Sequence, residues 1–199
     1  MFGIDYPKIG SANPLTGQNL YTFIDPYNSA LENNGAQQPL GSLYQAPLNP
    51  ANTVTKGLGL NAYYKYVRYN PTVTQTLKNG PGLVYWKDET YTTVTALASE
   101  AFSGINNVAG WLLYNTTTTS GAVATDINGN FCWILVGGLL VGAWVTAAAA
   151  ADAAIFGASS TAFATGTTAS GTAPTQKVAG WSLAAAASNL VDLYVPLLA

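Results

Sequence analysis

The sequence predicts an all-β fold, a sandwich or barrel-like β domain carrying an extended, proline-rich N-terminal arm. Three observations carry that expectation. Short runs rich in aromatic and β-branched residues recur from Asn61 onward, separated by Gly, Pro and Asn. The alanine runs 147–151 and 184–187 are only four or five residues long and sit between strand-like pieces, so they fit short helices or tight turns rather than long helices. The first 55 residues hold Pro7, Pro14, Pro26, Pro39, Pro47 and Pro50, which block long helices and central strands.

Residues 1–55 therefore read as an extended arm. Its apolar anchors follow no sustained period, yet Tyr6, Tyr21, Phe23, Tyr27 and Tyr44 make it more aromatic than a disordered tail. Such a segment becomes ordered by lying across a surface, that of a neighbouring subunit or of its own domain. Residues 56–199 form the β-rich domain. Strands are expected at 61–69 and 72–77, followed by Leu83-Val-Tyr-Trp, Tyr91-Thr-Thr-Val-Thr and the stretch from Asn107 to Tyr114. Further strands are expected at Phe131 to Val136 and Leu139 to Val145, joined by a hairpin turn at Gly137-Gly138, and at Lys177 to Leu183 and Leu190 to Val195. Val108-Ala-Gly-Trp-Leu-Leu returns as Val178-Ala-Gly-Trp-Ser-Leu, which suggests two related β units at about 80–125 and 139–199.

Charge is scarce. The chain is 8% charged against an ordinary value of about 25%, and its formal net charge is −2. Between Ala101 and Ala199 the charged residues are Asp126, Asp152, Lys177 and Asp192. A surface made of Thr, Ser, Asn, Gln and Tyr, with little mutual repulsion, suits permanent association with neighbours. No basic n-region followed by an apolar h-region opens the chain, so cytoplasmic synthesis is the default expectation.

Chemistry-bearing motifs are few. The absence of histidine excludes His-dependent triads and zinc sites, and Cys132, between Phe131 and Trp133, reads as a small buried hydrophobe with a raised pKa. Asp88-Glu89 reads as a solvated hairpin tip. Asp126-Ile-Asn-Gly-Asn begins like a calcium loop, but its glycine is misplaced and Gly137 stands where a bidentate Glu belongs, so Asn128-Gly129 reads as a turn. Asn115-Thr-Thr is a formal glycosylation sequon without a secretion signal to make it consequential. Lys56, Lys65, Arg68, Lys78 and Lys87 interleave with tyrosines, a pattern that fits a strand with one buried and one exposed face, or a docking surface, better than a nucleic-acid groove. No enzymatic activity, cofactor or metal is expected.

Phe131 to Ala151 is a run of 21 uncharged residues, long enough to span a bilayer as a helix, and this is the rival reading from another class. Its glycines and alanines dilute its hydrophobicity, and its nearest charges, Asp126 and Asp152, are acidic rather than an orienting basic cluster.

Gly82-Leu-Val-Tyr-Trp-Lys, Val108-Ala-Gly-Trp-Leu, Val178-Ala-Gly-Trp-Ser-Leu and the closing Val191-Asp-Leu-Tyr-Val-Pro-Leu together resemble the decoration, or cement, proteins of phage capsids, over about residues 80–199. The resemblance implies a structural protein on the outside of a viral shell, made in the host cytoplasm, whose partners are the major capsid protein and copies of itself. A tail, fibre or spike component of a virion is the alternative. No small-molecule substrate is expected, and nucleic acid and membrane are disfavoured as partners. The candidate contact residues are Tyr6, Tyr21, Phe23, Tyr27 and Tyr44 of the arm, with Tyr64, Tyr66 and Arg68 of the first expected strand.

Overall fold

A computed structural model describes residues 40–47, 61–112 and 131–198, apart from 74, 79, 147, 160 and 169–172. The fold is all-β, as expected. Among the described residues ten strands form one mixed sheet: β1 Leu43–Pro47, β2 Asn61–Tyr69, β3 Gly82–Trp86, β4 Thr93–Thr95, β5 Val108–Leu112, β6 Phe131–Trp144, β7 Ala154–Gly157, β8 Thr165–Thr167, β9 Val178–Ser182 and β10 Leu190–Val195. Two single-turn 3-10 helices, Ala98–Glu100 and Gly104–Asn106, lie between β4 and β5.

The sheet curls into a ring in its first half. β2 pairs with β4, β4 with β3, β3 with β5, β5 with β6, and β6 returns to β2, so five strands close on themselves. Closure removes free edges. Strand β6 then runs on. Its residues 131–137 face β2, and 138–144 pair with β10, from Gly138 opposite Val195 to Trp144 opposite Leu190.

Part of the strand order of the first half recurs in the second. The spatial order β4-β3-β5-β6 has its counterpart in β8-β7-β9-β10. Val84 lies opposite Gly110 and Tyr85 opposite Val108, so Ala109 is an extra residue in β5. Ile155 lies opposite Gly180 and Phe156 opposite Val178, so Ala179 is the extra residue in β9. A bulge of this kind bends its strand and increases local twist. Closure of the second unit differs: just past β6, the Thr146 N–H donates to Thr165 Oγ1 at 3.0 Å and the Thr165 N–H to Thr146 Oγ1 at 2.9 Å. Side-chain hydroxyls there stand in for a strand pairing.

The two units share one apolar core, which runs from Ala62 to Leu198. Tyr85 spans the join. Its hydroxyl donates to the Ala164 carbonyl at 2.9 Å and accepts from the Ala158 N–H at 3.1 Å. Phe163, held at φ 61°, stacks on Tyr69 and donates its N–H to the Ala96 carbonyl. Its ring fills the space where a side chain on Gly82 would go, 2.4 Å from an added Cβ.

Burial pushes the Tyr85 hydroxyl up to about 12, against the lowering effect of its backbone bond to Ala158. Because the folded state holds this proton more tightly, its contribution to stability is whole below the unfolded value of about 10 and is lost as pH rises toward about 12. Replacing Tyr85 with Phe is expected to cost about 1–3 kcal/mol at neutral pH, since buried backbone groups lose their partner. The variant is also expected to lose part of the alkaline drop in stability; urea titrations at neutral pH and above pH 10 measure both.

Several local expectations are corrected. Gly137-Gly138 makes no hairpin: β6 is continuous through it, because both flanking segments already have partners in β2, β5 and β10. Gly138, at φ 111°, marks instead the place where β6 changes partners. The described residues of 72–77 form no strand, since Pro71 offers no N–H and the Thr72 N–H is captured by the Glu100 carboxylate at 2.9 Å. Of the short helix or tight turn expected at each alanine run, the described residues show no helix, and the second run leads, as the turn alternative has it, to a tight turn in which Ser188 and Asn189 both adopt positive φ, with Ala187 bridged to Leu190. A helix over 131–151 is also overturned, because Phe131–Trp144 is a strand. Among the described residues no helix is long and apolar enough to cross a membrane. Strands β1, β7 and β8 were not anticipated.

Candidate interaction surface

Of the contact residues expected from sequence, Tyr6, Tyr21, Phe23 and Tyr27 lie outside the described residues, as does the arm except for residues 40–47. Tyr44 belongs to β1, where it stands opposite Tyr64 of β2, so this part of the arm adds an edge strand to its own domain. Tyr64 and Tyr66 are buried. Tyr66 stands opposite Trp133, with ring centroids 5.1 Å apart, and stacks on Phe131. These rings are part of the core. Arg68, at the end of β2, is exposed.

Lys56 lies outside the described residues, and the described lysines each make contacts of their own. Lys65 Nζ lies 4.6 Å from the Trp86 ring and Lys78 Nζ 4.7 Å from the Trp144 ring. Lys87 donates to the Asn70 carbonyl at 2.8 Å and lies 3.7 Å from the Glu100 carboxylate. Lys177 Nζ donates to the Val108 carbonyl, and burial lowers its pKa, as it does for Lys65. These contacts tie each cation to a different part of the sheet.

Asp88 sits at the tip joining β3 to β4, as expected. Burial alone would raise its pKa, but bonds from the Thr93 and Thr90 side chains and from the Thr92 and Thr93 backbone outweigh that and hold it below the usual value. Its bonds to Thr90 Oγ1 and the Thr92 N–H shape the tip. Burial pushes the Cys132 thiol far up, consistent with an inert core residue. The segment Asp126 to Asn130 lies outside the described residues. Among the described residues no group of three or more His, Cys, Asp or Glu side chains is placed to hold a metal ion.

Two exposed apolar areas stand out. At the β3–β4 tip, Tyr91, at φ 55°, packs edge-on against Trp86 and Phe102, with centroids 5.6 and 5.8 Å away. On β9 and β10, Trp181 stands directly opposite Tyr194, and they are 39% and 43% exposed. Leu183 and Leu197 beside these strands are 47% and 60% exposed. Sequence reasoning did not single out this second area, although the signal was present. In Leu190–Val195 the alternation sends Val191, Leu193 and Val195 inward and leaves Tyr194 on the outward phase.

Comparison of the chain with protein-family models, with curated proteins and with solved structures gave no match.

Proposed function

We propose that this chain is a structural protein of a virus particle, most specifically a decoration or cement protein that stabilises a shell through contacts between subunits. The observation that carries the reading is the near absence of charge from the second half of the chain, together with the exposed pair Trp181 and Tyr194 on adjacent strands. Solitary soluble domains seldom combine so little charge with exposed large apolar side chains, whereas permanent assemblies cover such side chains. On this reading the protein's activity is adhesion: each buried Å² contributes about 25 cal/mol, offset by ordering costs, and symmetry multiplies modest contacts.

Quantitative mass spectrometry of gradient-purified particles tests the proposal by counting this chain against the major shell protein. A near-stoichiometric ratio is the expected result. A few copies per particle would move the chain to a tail, fibre or spike, and its absence from particles would overturn the virion reading.

A further inference from the structure

We infer that the aromatic tip between β3 and β4, with Tyr91 and Phe102 as its exposed rings, is the seat of this chain's own N-terminal arm, occupied by the apolar stretch from Leu20 to Leu31. The inference goes beyond the proposed role and stands whether or not the chain belongs to a particle.

The place where the arm meets the domain carries it. Residues 43–47 of the arm already lie on this domain as β1, paired with β2 from Leu43 opposite Lys65 to Pro47 opposite Asn61. Just before β1, the Gly41 N–H donates to the Tyr66 carbonyl at 2.8 Å, and the Tyr66 N–H donates to the Ser42 carbonyl at 2.9 Å. Two residues further along β2, the Arg68 N–H donates to the Thr92 carbonyl at 2.9 Å. Gly41 therefore sits beside the tip: a Cβ added to it would lie 3.9 Å from Thr92 Cγ2, next in sequence to Tyr91. Gly41, at φ 84°, turns the chain here, and Leu40 before it is 36% exposed. Residues 1–39 thus start from the edge of the aromatic tip.

The tip is built as an apolar seat. Tyr91 is held in a left-handed conformation that disfavours any residue but glycine, and this sets its ring edge-on to both Trp86 and Phe102. Trp86 is buried and floors the site, whereas Tyr91 and Phe102 keep 45% and 39% of their surface. The arm supplies matching side chains: Leu20, Tyr21, Phe23, Ile24, Tyr27 and Leu31. Rings on both sides suit edge-to-face contact. From Ile9 to Leu40 the charged residues are Asp25 and Glu32. Arg68, exposed and opposite Thr93, offers these carboxylates a cation, while the exposed Glu89 of the tip keeps them on the β2 side. Leu31 lies nine residues before Leu40, a reach of about 30 Å when extended, well beyond the ring spacings of the tip. So short a tether holds the stretch at an effective concentration on the order of millimolar, and the contact closes within one chain.

Photo-crosslinking of the full chain at low micromolar concentration, with Phe102→benzoylphenylalanine as the probe, tests the inference. Mass spectrometry is expected to map the crosslink to residues 20–31, in a product with the mass of one chain. Crosslinks confined to other segments, or a product of two joined chains, overturn it. Chymotrypsin gives a second readout. Cleavage after Tyr21, Phe23 and Tyr27 is expected to quicken about tenfold in Tyr91→Asn combined with Phe102→Ser, because loss of the seat raises the population of the released arm. Asparagine tolerates the positive φ of Tyr91, so the far-ultraviolet circular dichroism is expected to stay unchanged. Equal cleavage rates in this variant and the wild type overturn the inference.

Discussion

Replacing Trp111 with alanine is expected to lower the melting temperature by on the order of 10 °C, from a loss of about 4 kcal/mol. Trp111 is the largest of the wholly buried side chains among the described residues, and its indole N–H joins β5 to the Ala179 carbonyl of β9. Truncation thus opens a large cavity and leaves a carbonyl without its donor where the two units meet. The same change at Trp181 removes a ring that is 39% exposed. Trp181→Ala is expected to shift melting by only a small part of the Trp111 effect. Thermal denaturation of both variants makes the comparison, and equal losses would refute the unequal burial of the two tryptophans.

A second contrast concerns the two glycines of the repeat. Gly110→Ala is expected to destabilise by about 3 kcal/mol or more, and Gly180→Ala by under about 1 kcal/mol. A Cβ on Gly110 would sit 2.5 Å from the Leu135 carbonyl oxygen, a backbone atom of β6 that cannot swing away. A Cβ on Gly180 would meet the corresponding oxygen, that of Tyr194, at 3.4 Å, and its closest neighbour is the movable Leu193 side chain at 3.2 Å. Alanine also restricts the unfolded chain, which offsets part of the smaller cost. Guanidinium titration of the two variants reads the difference directly. If Gly110→Ala were as mild as Gly180→Ala, the closer approach of β5 to β6 would be wrong.

Which parts were legible follows from the range of the forces involved. Asn61–Tyr69 and Leu190–Val195 match their expected bounds because β-branched and aromatic residues fill them and glycine, proline or asparagine flanks them. Alternation within ten residues is local information. The echo of Val-Ala-Gly-Trp was legible too, and it falls on two strands with a bulge at the same place and equivalent positions in the strand order. Ala154–Gly157 and Thr165–Thr167 were not, since runs of four and three residues carry too little pattern to separate strand from loop. The tyrosines of β2 read as contact residues because tyrosine serves interfaces and cores alike, and only the packing of Trp133 and Phe131 against Tyr66 decides between them.

By itself the sequence determined the all-β class, the scarcity of charge and the repeated strand motif, since each is a property of composition or of short-range period. Tertiary structure alone decided that Gly137-Gly138 continues a strand, that five strands close into a ring, and that one tryptophan of the repeat is buried while its twin is open. The physical reason is that burial is a relation between distant segments: Trp111 and Trp181 have nearly identical neighbours in sequence and differ in what the rest of the chain brings against them.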